Sequence, residues 1–407
     1  MIDIQNRTRR PILAIAYSIV TATVFLVFPF QVTAQEGIPK NVAIYASKRE
    51  AISTEALRKI AGDGDLKVLE EADRKWTAVS CKWSDVSIKL TRSSIDEDET
   101  LAGHLNDFCG YVVQRLAEGK MDAHVFRLTK QIKRTSHLYS VQADPNIDSE
   151  NLKRFLQSLA SEQSAIIFVN VDVFDAQMKV LLGSKSGRDK NAVFPSFDSA
   201  ADRKDRTMKT LADKKLNPLA SLPTVIADEQ VRLREAKTVA RRAVCLCALA
   251  AEAEAGSNFD ASKFLKKHNL TDELSPNEKK FLANEKRDEQ EASAMTWRYE
   301  AVANLLWSIG QGDKPGFPGT QSDAKKSLKI VLDDPQMLLK NATLRPASEI
   351  LDEVDLLYRC MWLCRDAQQN GKELKDLSMS VVYERLYALN WLIHHGNASW
   401  DKVQTDS

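Results

Sequence analysis

The hydrophobic pattern of this chain changes character once, and that change constrains the fold more than any other feature. Between Asn41 and about Gly183, apolar residues switch between alternation and helical spacing every few residues, whereas from Ile226 onward only helical spacing is found. A period of two sends side chains to opposite faces of a strand, and a period near 3.6 gathers them on one face of a helix. The two regions therefore predict an α+β N-terminal domain followed by an all-α helical C-terminal domain. A chain of 407 residues exceeds what one core usually organises, which agrees with that division.

In the first region, Val42 to Ala46 reads as a strand and Arg49 to Ile60 as a helix. Trp76 to Trp83 and Val86 to Thr91 make a hairpin across a Ser84-Asp85 turn, with Val86, Ile88 and Leu90 pointing inward. Leu101, Leu105, Phe108, Val112 and Leu116 predict a helix over 98–117. A helix over 123–132, a strand over 138–141, a helix over 149–159 and strands over 165–171 and 178–182 follow. This order lacks the regular alternation of a doubly wound sheet and gives α+β for residues 35–183. Residues 184–222 are rich in Ser, Lys, Asp, Asn and Pro, and read as a polar linker with a short solvated helix near Ala201 to Ala212.

Residues 223–407 form the predicted helical domain. Its first helix carries Val239, Ala243 and Cys247 and stops at Gly256. Ser275-Pro276-Asn277-Glu278 is a capping box, in which the serine oxygen takes the N3 amide and the glutamate reaches back. Further helices run to about Gly310, from Asp323 to Leu332, from Pro346 to Gly371 and from Ser380 to Gly396.

Arg7, Arg9 and Arg10 precede an uncharged run from Pro11 to Phe30, and Val32-Thr33-Ala34 follows with small residues where a signal peptidase reads. Residues 1–34 are expected to be a signal peptide cleaved before Gln35. The alternative is a retained anchor through residues 11–30, because about 20 apolar residues also span a bilayer. Either way the chain is exported, periplasmic or extracellular, and any membrane contact is through this segment. The net charge of +1 supplies no general attraction to nucleic acid or to an anionic bilayer.

The six cysteines lack the spacing of a disulfide scaffold. Cys81 and Cys109 are the one pair considered for a bridge, and buried thiols fit the pattern better. Cys360 and Cys364 share a helix side, yet a structural zinc needs four ligands. No phosphate-binding glycine loop, G-x-S-x-G or H-E-x-x-H occurs, and adjacent His394 and His395 diverge by about 100° on a helix. No cofactor, metal site or catalytic residue is therefore assigned.

The C-terminal helices carry charge on otherwise apolar surfaces. Asp355, Arg359, Trp362 and Asp366 form one stripe, opposite Ile350, Val354, Leu357, Met361 and Cys364. Trp297, Glu300, Asn304 and Trp307 form another, while Arg298 falls among Ala301, Val302, Leu305 and Ile309. Tyr383, Tyr387, Asn390 and His394 line the last helix, beside Glu384 and Trp391. Charges so placed must be paired if buried, and Arg298 is expected to meet Asp352, Asp355 or Glu384 from a neighbouring helix.

Several of these residues also carry a resemblance. Leu274-Ser275-Pro276 with Glu278 and Phe281, then Trp297-Arg298-Tyr299-Glu300-Ala301 with Leu306-Trp307, are similar to the bacterial family named domain of unknown function 4272. The similarity continues through Glu349-Ile350-Leu351-Asp352, Asp355-Leu356, Tyr358-Arg359, Trp362 and Arg365-Asp366. It ends with Glu384-Arg385, Ala388-Leu389-Asn390-Trp391-Leu392 and Trp400-Asp401-Lys402-Val403 before Thr405-Asp406, so that about residues 217–406 are covered. The family mostly comprises chains without an export signal, from which this one departs, and it implies no activity.

Two functional classes remain. In one, Trp297, Arg298, Glu300, Asp352, Asp355, Arg359, Glu384, Arg385 and Asn390 form an Arg/Asp/Glu/Trp network that holds a binding or scaffolding module for a protein or small-molecule partner. In the other, Glu300, Asp352, Asp355 and Glu384 with Arg298 and Arg359 line a pocket and do acid-base chemistry on a small substrate. Carboxylates converging on an open pocket favour the second; carboxylates consumed by arginines favour the first.

Overall fold

A computed structural model describes residues 41–405, apart from 63, 71–75, 84–85, 145 and 285. Residues 1–34, expected to be a signal peptide or anchor, and the expected Ser84-Asp85 turn lie outside the described residues. The N-terminal region is built on one antiparallel sheet of β1 (Asn41–Ala46), β2 (Asp65–Glu70), β3 (Trp76–Trp83), β4 (Val86–Ser94), β5 (His137–Ala143), β6 (Ala165–Val169), β7 (Asp172–Phe174) and β8 (Val180–Leu182). Its strand order is β2-β3-β4-β5-β1-β6-β7-β8. Among the described residues, the α-helices of this region are α1 (Thr54–Ala61), α2 (Leu101–Tyr111), α3 (Ala123–Lys133) and α4 (Ser149–Glu162).

Alternation along β1 shows how the sheet is used. Ile44 enters a core with Leu57 of α1 and Leu152, Phe155, Leu156 and Leu159 of α4, while its neighbour Tyr45 enters a second core with Leu101, Leu105 and Phe108 of α2 and Leu128 of α3. Successive side chains point to opposite faces, so the sheet buries both. Val79 sits opposite Leu90 and Cys81 opposite Ile88, and all four are buried.

Local chemistry explains several differences from the expected elements. Helix α1 starts at Thr54 rather than Arg49, because the Ser53 hydroxyl accepts the Ala56 amide at 3.1 Å and caps the first turn. The helix expected over 98–117 ends as α2 at Tyr111 and continues as a π turn over Val112–Leu116. Strands β2 and β7 lie where no strand was expected. The first is charge-rich and the second three residues long, so neither carries a strong period.

The C-terminal region contains α5 (Asp198–Asp213), α6 (Ala236–Ala255), α7 (Ala261–Lys267), α8 (Pro276–Ala283), α9 (Glu289–Thr296), α10 (Arg298–Ser308), α11 (Ala324–Asp333), α12 (Pro335–Asn341), α13 (Ala347–Gln369) and α14 (Met379–Leu392). Helix α6 is buried continuously from Val239 to Ala251 except at Arg241. Its alanines and cysteines are small, which lets α9 and α10 approach closely. Helix α10 then packs on α14, and α14 on α13. Each fully buried Leu or Val contributes about 1.5–3 kcal/mol, so this layer holds the main core of the region. The capping box forms as expected: Ser275 Oγ accepts the Glu278 amide at 3.2 Å, and Glu278 Oε2 accepts the Ser275 amide at 2.7 Å. Gly256 closes α6 at φ 59°, a backbone region that L side chains adopt with strain.

The stretch expected to be a solvated connector is partly packed. Ala200, Arg203, Thr207 and Leu211 of α5 are buried, and α5 lies against α13. Beyond it the two regions are joined directly. The Arg49 amide donates to Glu229 O at 2.9 Å, and Asp96 is gripped from both sides by Arg49 and Arg232.

Candidate functional site

The charged residues expected to act together are distributed over four clasps rather than gathered in one pocket. Asp355 and Arg359, one turn apart on α13, form a two-point fork at 2.9 and 2.8 Å, with both side chains fully buried (0%). Arg359 Nη2 also reaches Pro223 O at 3.4 Å, which ties the chain before α6 to α13. Asp352, at 42% exposure, accepts Arg203 Nε at 3.0 Å and Arg206 Nη2 at 2.8 Å, docking α5. The buried Arg203 spends its Nη2 on Asp228 at 2.9 Å.

The third clasp organises a loop. Glu300 of α10 accepts the Ser322 amide at 2.6 Å, the Ser322 hydroxyl at 2.9 Å and Arg385 Nε at 2.9 Å. Arg385 of α14 donates onward to Gly316 O at 2.6 Å and Thr320 O at 3.2 Å. Both side chains are at most 4% exposed. One buried ion pair thus helps to fix the backbone of 316–322, which is neither helix nor strand.

The fourth clasp is Arg298 with Glu384, at 2.9 Å between α10 and α14. The partner is one of the three carboxylates expected, but the contact is a single bond and Arg298 keeps 25% of its side-chain exposure. Burial pushes the Glu384 carboxyl above the usual range, while Arg298 pulls it back. A partly solvated cation beside an acid that can accept a proton is worth less than a desolvated pair. Arg298→Ala is therefore expected to lower stability by about 1–2 kcal/mol, below the loss of a fully buried partner, as read from the denaturant midpoint. A loss above that of Arg359→Ala contradicts this ranking. Trp297 is half-buried at the junction of α9 and α10, and Asn390 Nδ2 donates to Gln404 O at 2.8 Å, tying down the C-terminal segment.

Sequence reasoning missed a second set of contacts around the aromatic end of α14. Arg234 lies 4.5 Å from the centroid of Trp391, Arg242 5.2 Å from that of Trp400, and Arg298 5.2 Å from that of Tyr387. Trp391 and Trp400 meet edge to face at 5.4 Å. Arg242 also holds Glu278 at 2.7 Å, so the capping glutamate serves in an ion pair as well. Beside this seam, burial and the nearby Arg234, Arg232 and Arg49 push the His394 imidazole down to about 4, with Asp96 opposing them. It is neutral at pH 7.

All six cysteines are buried and unbridged. Burial raises their thiols, Cys245 to about 12 and Cys81, Cys109 and Cys364 to about 11. At neutral pH they are poor nucleophiles.

A hollow of about 390 Å³ opens where the end of α5, the loop before α11 and the loop before α14 meet. Its walls are Lys214, Phe317, Gly319, Thr320, Lys375 and Asp376. Gly319 lies against the Asp376 backbone so closely that a Cβ would stand 2.4 Å from the Asp376 carbonyl oxygen, which explains a glycine there. Lys214 Nζ sits 4.5 Å from the Phe317 ring centroid. None of Glu300, Asp352, Asp355 and Glu384 lines this hollow. Among the described residues, no group of three or more His, Cys, Asp or Glu side chains is placed to hold a metal ion, and no helix is long and apolar enough to cross a membrane.

Residues 203–403 match the family model described as Domain of unknown function (DUF4272), so the C-terminal region is similar to that family. The match begins at Arg203, which places most of α5 within the family's unit rather than before it. No curated protein and no solved structure matches the chain.

Proposed function

We propose that this is a binding or scaffolding protein, exported or anchored by its N-terminal segment, whose helical region takes an anionic group of a small-molecule or protein partner in the hollow beside residues 316–322. The observation that carries this reading is the consumption of all four candidate carboxylates by arginines. Asp352, Asp355, Glu384 and Glu300 are each engaged at 3.0 Å or less, and a carboxylate so held is poorly placed to exchange protons with a substrate. The acid-base alternative therefore loses its support.

What the clasps do is position backbone. Arg385 and Glu300 hold both ends of the segment that supplies Phe317, Gly319 and Thr320 to the hollow. A cavity of this size suits a small ligand or a single side chain. Lys214 and Lys375 outnumber Asp376 in charge, and Phe317 offers an apolar surface, which together favour an anion attached to an apolar or aromatic body.

Phenyl phosphate is a suitable probe. Titrated into the full chain, it is expected to shift the amide resonances of Gly319, Thr320 and Asp376 saturably. Lys214→Ala and Lys375→Ala should each weaken binding by about fivefold to tenfold, the effect of losing roughly 1 kcal/mol of charge attraction. Shifts spread evenly over surface lysines, or none at all, would remove the hollow from the account.

A further inference from the structure

Among the described residues, the buried carboxylates of the helical region have a common habit with one exception. Glu252, Glu278, Glu300, Asp355 and Glu384 each hold an arginine. Glu353 of α13, only 2% exposed at its side chain, instead meets the ammonium of Lys314 at 3.1 Å. Lys314 comes in from solvent and remains 55% exposed. The contact is an ion pair without a directed hydrogen bond at Glu353 Oε2.

The same ammonium lies 5.4 Å from the centroid of the Trp307 ring, and Trp307 is itself buried. A carboxylate beside an indole face is the combination that recognises an ammonium group, one part by charge and the other by the ring quadrupole. Arg345 flanks Trp307 as well, with its carbon 5.5 Å from the ring centroid and its Nε donating to Trp307 O at 2.8 Å. Trp307 is therefore held in place independently of Lys314.

Lys314 lies between two anchored stretches, after Gln311, whose amide donates to Leu306 O at 2.9 Å, and before the backbone that Arg385 holds. Gly310, Gly312 and Gly316 surround it, and the anchoring bonds from Arg385 begin at Gly316, two residues beyond the lysine. An arginine fork would lock such a site by geometry. A lysine on a flexible stem fills it as a point charge.

We propose that Glu353 and Trp307 form a receptor for a primary alkylammonium group, and that Lys314 is a built-in occupant which such a group displaces. The receptor shares no residue with the hollow beside Lys214, so the two sites stand or fall separately. Because Lys314 occupies the receptor, the intact protein binds an external amine more weakly than its empty receptor would, by the fraction of time the lysine is away.

The test uses n-butylammonium chloride on the full chain, with sodium chloride and tetramethylammonium chloride as matched controls. Lys314→Ala is expected to unfold earlier than the parent and to recover as n-butylammonium is added, with a saturable shift of the Trp307 indole resonance. The parent should show the same shift at about tenfold higher amine. Neither control salt should reproduce it, and Lys314→Ala with Glu353→Gln should not respond. Should Lys314→Ala fail to fold, Lys314→Gln, which keeps a shorter polar side chain without the charge, supports the same titration. No saturable indole shift in either variant, or an equal response to sodium or in the Glu353→Gln background, overturns the proposal.

Discussion

Arg359→Ala is expected to destabilise the protein by about 3–5 kcal/mol, because it strands the Asp355 carboxylate at a position with no access to water. Both members of this pair are fully buried, and the guanidinium supplies Asp355 with two bonds at 2.8 and 2.9 Å. The substitution also removes the bond to Pro223 O and leaves a cavity where one of the largest fully buried side chains stood. Removing both charges tests the cause. Asp355→Leu combined with Arg359→Met replaces the pair by apolar groups of similar bulk, and should recover most of the loss, since an ion pair in this setting gains little net energy over a packed apolar one. Chemical denaturation of the full chain reads both outcomes as midpoint shifts. If Arg359→Ala stays within about 1 kcal/mol of the parent, the site is wetter than its burial implies.

How much of this could be read in the sequence depends on whether a residue's role follows from its own helix or from what docks on it. The Asp355/Arg359 fork is separated by one turn, so helical spacing alone reveals it. The Ser275 box and the Gly256 stop are equally local. Arg298 was legible as a cation on an apolar face, and Glu384 was among the three partners considered. Its 25% exposure was not legible, because exposure is set by how Tyr387 and Trp400 pack over the guanidinium. Trp362 and Asp366 share a stripe with Asp355 and Arg359 yet end half-buried, since a stripe records angle and says nothing about which neighbour covers each turn.

Helix α5 was expected near Ala201 to Ala212 as a solvated helix, and what went unread is that one side of it is buried. Its composition is that of a solvated segment, but Ala200, Arg203, Thr207 and Leu211 recur at spacings of three and four, and these are the residues that become buried. That spacing, with Arg203 on it, was the signal available in the sequence. The role of Lys314 could not have been found this way, because its carboxylate, Glu353, lies on a helix distant in sequence. The same holds for Arg242, whose partner Glu278 already had a sufficient local explanation as a cap.

Arg385 is where stability and the proposed site meet. Arg385→Ala is expected to lower stability by about 3–5 kcal/mol, since Glu300 would remain buried with only the Ser322 amide and hydroxyl for partners. The more discriminating variant is Arg385→Lys. A lysine keeps the positive charge near Glu300, but one ammonium cannot reproduce the planar fork that reaches Glu300, Gly316 O and Thr320 O together. The fold should therefore survive Arg385→Lys with a smaller loss, about 1–3 kcal/mol, while residues 316–322 lose two of their tethers. Amide hydrogen exchange should quicken at the tethered segment and remain unchanged in α6, because the loss is local. Phenyl phosphate should bind this variant more weakly than the parent even where both are fully folded, since Phe317, Gly319 and Thr320 would no longer be held against Lys375 and Asp376. Parent-like exchange and parent-like binding in a folded Arg385→Lys protein would mean that the buried pair serves stability alone and that the hollow does not depend on it.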